Sequence, residues 1–180
     1  MVARWFQMDS SFAIMQTHGQ NNTISYEGRE VGLSTEDYFF LGSLPAFRSR
    51  FGIFIQPSVA VLRQVTILLQ RKRPFVPHLN IHEVSRTFWM PLELFLDNST
   101  HNVFVLDNTY SVHSFSFNGA EIYGITAFMC IITAMMVLQR TPSFDINSSL
   151  TVSRMEKMAL TDIIDHILQF VHLPFKKSKL

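Results

Sequence analysis

The chain has 180 residues, 15 Lys and Arg against 14 Asp and Glu, and 47% apolar residues, which is typical of one globular domain and not of a disordered chain. A net charge of +1 argues against functions that need a surplus of Lys and Arg along one face, such as nucleic-acid binding. The one cysteine, Cys130, can form neither an internal disulfide nor a cysteine-based metal site.

The amino-terminal residues 1–28 differ from the rest of the chain. Residues 16–23 are polar, and neither a helical nor a strand period persists through this part. Residues 1–9 carry charge where a signal peptide needs an apolar stretch of about 7–15 residues, so none is predicted. We therefore expect 1–28 to be an unmatched, poorly specified segment.

Two strands are predicted next, at residues 38–44 and 53–62, because both stretches are rich in aromatic and β-branched residues and a proline and a glycine separate them. Residues 64–79 contain the cluster Arg71-Lys72-Arg73-Pro74, which indicates an exposed loop. These positive charges could meet a phosphate group, but a solvated loop is the preferred interpretation.

A further strand is predicted at residues 83–89, and Pro91 suits the first turn of a helix at 92–96. Shorter strands are predicted at 103–106, 111–117 and 121–123. The dipeptide Asn118-Gly119 between the last two is a strong hairpin signal.

The uncharged stretch 122–138 allows two interpretations, a membrane span or a buried helix. A span needs about 20 predominantly apolar residues, whereas this stretch is at the short limit and contains two threonines and a glycine. Arg140 in the last turn and Pro142 after it are typical of a globular helix. We therefore predict a buried helix and no membrane span.

A last helix is predicted at 153–170, because apolar residues recur there at spacings near three and four. These are Met155, Met158, Ala159, Ile163, Ile167 and Phe170. Strands mixed with about three helices predict an α/β fold with a mixed sheet.

The chain ends in Ser178-Lys179-Leu180, preceded by two lysines. A terminal Ser-Lys-Leu is the address that the peroxisomal import receptor recognises, while the competing interpretation is an ordinary charged terminus. Residues 176–180 are therefore predicted to be a peroxisomal targeting tail.

Several spaced motifs carry a family resemblance. In chain order they are Arg29-Glu30-Val31-Gly32-Leu33, Leu41-Gly42-Ser43-Leu44-Pro45, Pro57-Ser58-Val59-Ala60-Val61, Glu83-Val84, Phe88-Trp89-Met90-Pro91-Leu92 and Ile122-Tyr123-Gly124-Ile125-Thr126-Ala127. Together they resemble the Nudix hydrolases of the peroxisomal coenzyme A diphosphatase type. The resemblance covers residues 29–180 and implies a partial Nudix domain at 29–175, with a mixed β-sheet packed between helices and incomplete at its amino-terminal side.

The resemblance also implies an activity, the hydrolysis of the diphosphate in coenzyme A and acyl-CoA to 3′,5′-ADP and (acyl-)4′-phosphopantetheine. The family uses Mg²⁺ or Mn²⁺ for this reaction. Such hard cations neutralise phosphate charge and need several oxygen ligands held in place.

The chain departs from the family at the acidic positions of the Nudix box. The spacing from Gly32 places Tyr26 and Arg29 where the family has glutamates, and Thr17 at its upstream glutamate. Glu30 alone matches and is the predicted metal ligand. A single carboxylate leaves Mg²⁺ mostly water-ligated, so we expect hydrolysis to be impaired.

Glu83 is the candidate for a second acid or a catalytic base, against the plainer interpretation of a solvated glutamate. The histidines His18, His78, His82 and His113 are each interpreted as isolated structural or surface residues. The strands that the family has before the Nudix box are not recognised in this sequence. Their absence is expected to expose a sheet edge and favour aggregation.

Two other function classes stay open beside an impaired hydrolase. One is a catalytically silent module that binds coenzyme A or a nucleotide. The other is a short membrane-anchored protein. The residues that bind substrate are not predicted.

Overall fold

A computed structural model describes residues 7–8, 12–18, 31–48, 54–62, 76–82, 84–106 and 110–171. The strands are β1 (Gln7–Met8), β2 (Phe12–His18), β3 (Tyr38–Ser43), β4 (Phe47–Arg48), β5 (Phe54–Leu62), β6 (Trp89–Met90), β7 (His101–Leu106), β8 (Tyr110–Phe117) and β9 (Ala120–Tyr123). The helices are a 3₁₀ helix (Leu92–Leu96), α1 (Gly124–Leu138), α2 (Val152–Met155) and α3 (Leu160–Val171). The predicted α/β class is confirmed.

The larger sheet has the strand order β3-β5-β2-β1-β6, with β4 also paired to β5. Its β1–β6 pair is parallel and its other pairs are antiparallel, so the sheet is mixed as predicted. Strands β3 and β5 confirm the predictions at 38–44 and 53–62. A bulge between Phe40 and Gly42 interrupts their register.

Strand β2 lies within residues 1–28, where the sequence shows no sustained helical or strand period. It pairs over its whole length with β5, from Phe12 opposite Val61 to His18 opposite Ile55. Its other edge pairs with β1. Its pairing with β5 joins residues far apart in the chain, so a local period does not reveal it.

The smaller sheet is an antiparallel meander of β7, β8 and β9. It confirms the three strands predicted there. Asn118 and Gly119 join β8 to β9 with φ values of 47° and 70°, the left-handed pair that a two-residue type I′ hairpin requires.

The strand predicted at 83–89 is wrong for the described residues 84–88, which pair with no strand. Within the described part of the predicted range only Trp89 is in a strand, the short β6. This strand pairs with β1, with Gln7 opposite Trp89 and Met8 opposite Met90. Instead the Val84 N–H donates to the Asn80 carbonyl at 2.8 Å, so a turn occupies the backbone that a strand would have used.

The helix predictions at 92–96 and 122–138 are confirmed, the first as the 3₁₀ helix after Pro91 and the second as α1. Residues of α1 are buried over most of its length. The helix ends at Gln139, whose φ is 53°. Among the residues described, none of the helices combines the length and apolar character needed to cross a membrane.

The single helix predicted at 153–170 is divided into α2 and α3. Lys157 and Met158 donate their N–H groups to Arg154 and Met155, three residues back, and α3 then begins at Leu160. A continuous helix would place Ala159 on the face between Met155 and Ile163. Ala159 is exposed while the other two are buried, so the break lets both large side chains reach the core.

Among the described residues, two apolar clusters form the core. The larger one packs α1 against the three-stranded sheet, the 3₁₀ helix and α3, with Phe95 and Phe115 edge to face at 5.0 Å between ring centroids. The smaller one lies on the six-stranded sheet. Its buried members are Val31, Leu33, Tyr38, Ala60, Leu62 and Val84.

Candidate functional site

The residues predicted to act are Glu30 as metal ligand, Glu83 as acid or base, and the targeting residues Ser178, Lys179 and Leu180. All of them lie outside the described residues. Their roles therefore stay predictions. The described residues beside Glu30 and Glu83 form the surroundings of the candidate site.

The residues that follow the two glutamates lie in the same apolar cluster. Val31, next to Glu30, is 3% exposed, and Val84, next to Glu83, is 2% exposed. Both pack in the smaller cluster against the six-stranded sheet. Two segments that are far apart in the chain are thus anchored to one part of the core.

A backbone contact joins the same two segments. The His78 N–H donates to the Val31 carbonyl at 2.9 Å. Gly32 has φ +70°, and a Cβ atom on it would lie 2.9 Å from the His78 Cβ. Only glycine combines this conformation with so close an approach, which gives a physical reason for the glycine that the Nudix pattern places here.

The Asp37 carboxylate, in the turn after Gly32, binds groups of the same turn. Asp37 accepts hydrogen bonds from the Ser34 N–H at 2.8 Å and from the Ser34 hydroxyl at 2.6 Å. The Asp37 N–H donates back to the Ser34 carbonyl at 3.0 Å. This carboxylate therefore stabilises the turn that leads from the Glu30 segment into β3.

The described residues do not fit a divalent metal site. Within them, no three His, Cys, Asp or Glu side chains converge in a way that could hold a metal ion. Since Mg²⁺ requires oxygen ligands in near-octahedral geometry, a cation site would depend on Glu30 and Glu83.

His113 is a core residue but not an isolated one, which corrects that part of the prediction. Its ring is 1% exposed, and its Nε2 lies 2.9 Å from the Ile146 carbonyl, to which it donates. Its Nδ1 therefore accepts from the His101 Nε2, 2.9 Å away. The other predicted histidines differ: His78 and His82 are exposed, and the His18 side chain lies outside the described residues.

Both rings of this pair are neutral near pH 7. Burial, together with the neighbouring His113, lowers the pKa of His101 to about 4. Burial also lowers the pKa of His113, although its hydrogen bond to Ile146 opposes the shift. The His101 ring stacks on Phe144 at 3.7 Å between centroids, so the pair is part of the packing between β7, β8 and residues 144–146.

A serine and a histidine also meet, at Ser149 and His166. The Ser149 hydroxyl donates to Asn147 Oδ1 at 2.7 Å and lies 3.1 Å from His166 Nε2. Since its one proton goes to Asn147, the imidazole must donate to the hydroxyl. The arrangement ties α3 to the preceding turn and does not activate a nucleophile.

Arg86 is a further candidate for a functional residue, although no sequence motif marks it. It is exposed and lies between the motifs Glu83-Val84 and 88–92. Its Nη2 donates to the Gly119 carbonyl at 2.8 Å, and its Cζ lies 5.9 Å from the centroid of the Phe88 ring. No local signal marks it, because its partner is in a distant hairpin.

Comparison with known proteins supports the resemblance. The chain is 41% identical over 156 residues to the peroxisomal coenzyme A diphosphatase ndx-8 of Caenorhabditis elegans. The aligned region covers 84% of this chain and 63% of that relative, so the chain spans less than two thirds of the relative's length. No family model matches the chain, and no solved structure matches it. Over most of its own length the chain is thus similar to a protein named a coenzyme A diphosphatase.

Proposed function

We propose that this chain binds coenzyme A and acyl-CoA and hydrolyses their diphosphate slowly, giving 3′,5′-ADP and (acyl-)4′-phosphopantetheine. The observation that carries the proposal is the 41% identity over 156 residues to a protein named a coenzyme A diphosphatase. The shared anchoring of the segments after Glu30 and Glu83 supports it, because those segments carry two of the resembling motifs.

Slow turnover follows from the chemistry of the box positions. Mg²⁺ or Mn²⁺ would neutralise charge on the diphosphate and activate a water molecule. Tyr26, Arg29 and Thr17 offer no carboxylate where the family has one. Glu30, with Glu83 as the second acid, leaves few protein oxygens for the cation, so bound substrate would have to supply the rest.

The second candidate is a silent module that binds coenzyme A without cleaving it. The sequence favours it at the same three positions, where side chains without a carboxylate stand beside the motifs at residues 29–127 that resemble the family. The structure adds that the Gly32–His78 approach is intact. A binding surface can thus persist after the metal ligands are lost.

One assay distinguishes the slow hydrolase from the silent binding module. Purified protein is incubated with coenzyme A or acetyl-CoA and either Mg²⁺ or Mn²⁺, and release of 3′,5′-ADP is measured by chromatography. Slow release that Glu30→Gln abolishes, and that Glu93→Gln leaves unchanged, supports the hydrolase. Glu93 is a suitable control because it is an exposed acid on the 3₁₀ helix, outside the candidate site.

Other outcomes decide against parts of the proposal. Turnover of about 1 per second or more, which is normal for enzymes, would contradict the impairment. Calorimetric binding of coenzyme A with no release of 3′,5′-ADP would favour the silent module. Neither binding nor release would refute both candidates.

We also propose that the chain is delivered to peroxisomes by the import receptor that recognises Ser178-Lys179-Leu180. The relative in Caenorhabditis elegans is itself named peroxisomal. A fluorescent protein fused to the amino terminus should give punctate fluorescence with a peroxisomal marker. The same fusion without the last three residues should be diffuse, and unchanged puncta would refute the address.

A further inference from the structure

The Arg86 guanidinium is held in place from two directions although it is exposed. The Gly119 carbonyl accepts from Nη2 at 2.8 Å, and the Phe88 ring lies beneath Cζ at 5.9 Å. The supports are themselves fixed. Phe88 packs against the larger core cluster and lies 6.2 Å from the Phe117 ring, and Gly119 is in the tight β8–β9 turn.

An arginine has five N–H donors in a planar fork. Among the described residues, Gly119 is the acceptor of Arg86, and the arginine is exposed, so its other N–H groups can reach a ligand. Because the fork is already oriented, less side-chain entropy is lost when it binds an anion. Planar donors of this kind match phosphate oxygens bidentately.

The place of Arg86 in the chain connects it to the candidate site. It lies two residues after Val84, which shares the smaller apolar cluster with Val31 of the Glu30 segment. Residues 83–92 contain two of the motifs that resemble the family. Among the arginines and lysines whose side chains are described, Arg86 alone lies in this segment. The other exposed cations, Arg140, Arg154 and Lys157, all follow α1.

We propose that Arg86 binds a phosphate group of coenzyme A, with its charge and fork held ready by Gly119 and Phe88. This inference rests on the proposed function, because it assigns part of that substrate to a residue. Coenzyme A offers two sources of the same chemistry, the 3′-phosphate and the diphosphate. Its dephospho form lacks the first and keeps the second.

The test is calorimetric titration of the full chain with coenzyme A and with dephospho-coenzyme A, in EDTA so that no cleavage accompanies binding. Hydrogen bonds to charged groups are among the stronger ones, so Arg86→Ala should weaken coenzyme A binding about tenfold or more. Arg86→Lys keeps the charge without the fork and should recover part of the loss. The salt dependence of binding should also become flatter in Arg86→Ala, because fewer ions are displaced.

The matched control is Arg154→Ala. Arg154 is also exposed and also donates to a backbone carbonyl, that of Ser149, at 2.9 Å. Its removal deletes the same kind of hydrogen bond and the same charge at a distant place. Coenzyme A affinity should be unchanged in this variant, and the thermal midpoints of both alanine variants should be similar.

The outcomes are distinct. A loss for coenzyme A alone assigns Arg86 to the 3′-phosphate, and an equal loss for both ligands assigns it to the diphosphate. An unchanged affinity in Arg86→Ala, with binding intact in the wild-type chain, overturns this inference and leaves the proposed function standing. A wild-type chain that binds neither ligand in EDTA overturns this inference, whereas the proposed function is decided separately by release of 3′,5′-ADP with Mg²⁺ or Mn²⁺ present.

Discussion

Gly32 shows how one residue links a sequence motif to a structural requirement. Its φ of +70° and the 2.9 Å that would separate an alanine Cβ from the His78 Cβ act independently against any side chain. The left-handed conformation alone costs a residue other than glycine about 1–2 kcal/mol. We expect Gly32→Ala to lower the free energy of unfolding by at least that amount, measured by urea denaturation.

The two causes separate in a double-mutant cycle. His78→Gly removes the Cβ that an alanine at 32 would approach, but it leaves the backbone conformation of Gly32 as it is. The Gly32→Ala substitution should therefore cost less in the His78→Gly background than in the wild-type chain, while a cost from φ should persist. Equal costs in both backgrounds would show that the approach to His78 is unimportant.

The His101–His113 pair gives the stability of the fold a pH dependence. The pKa of His101 is about 4 in the folded chain and near 6.5 when unfolded, so the unfolded state binds more protons between these values. Stability should therefore rise with pH from about 4 to 6.5 and decrease on acidification. The lowered pKa of His113 acts in the same direction.

The measurement is urea unfolding at a series of pH values in this window. His101→Gln should flatten the rise, because the titrating ring that lies against Phe144 is gone. His82→Gln serves as the control, since His82 is exposed, and it should leave the slope as it is in the wild-type chain. A slope that both variants share with the wild type would assign the pH dependence to other groups.

Among the secondary-structure elements, those that depend on residues close together in the chain are the ones that the sequence predicts best. The Asn118-Gly119 turn and helix α1 with its flanking residues are predictable because turn chemistry and composition act within a few residues. Strand β2 is not, because its pairing with β5 joins positions as distant in the chain as Phe12 and Val61. The break between α2 and α3 is equally hidden, since no glycine or proline marks it.

Helix α1 contains a polar side chain that the core does not satisfy. Thr133 is 2% exposed, and its hydroxyl has no hydrogen-bond partner among the described residues. An unpaired buried hydroxyl costs about 1–3 kcal/mol. Thr133→Val replaces it with a methyl group of similar shape, so we expect the free energy of unfolding to rise by about 1 kcal/mol.

Ser153→Val offers a comparison on the surface. Ser153 is exposed on α2, so its hydroxyl can bind water, and its replacement should change stability by less than about 0.5 kcal/mol. Thermal or urea denaturation would measure both variants. A Thr133→Val chain no more stable than the wild type would indicate that water or another group satisfies the hydroxyl.

At the scale of the whole molecule, the candidate site is predictable only in part. The motifs name Glu30 and Glu83 separately, but the relation between their segments depends on the packing of Val31 and Val84 in one cluster. The Arg86 contact with Gly119 joins the segment before β6 to a hairpin of the other sheet. Such contacts between distant segments leave no periodic signal, and the fold is needed to find them.

At the scale of the whole molecule, an exposed strand edge is a place where another chain can pair. Strand β7 pairs with β8 on one side, and its residues Val103, Phe104 and Val105 are 46%, 58% and 61% exposed. The strand carries no lysine, arginine, acid or proline, which are the usual protections of an edge. We therefore expect β7 to be an aggregation-prone edge, in a different sheet from the edge that missing amino-terminal strands would expose.

Phe104→Lys should reduce concentration-dependent light scattering, because a lysine on an edge strand opposes pairing with another chain. Its thermal midpoint should hardly change, since surface substitutions seldom alter stability by more than about 0.5 kcal/mol. Val76→Lys adds the same charge at an exposed apolar residue outside any strand. If Val76→Lys lowers scattering as much as Phe104→Lys does, net charge and not the β7 edge governs association.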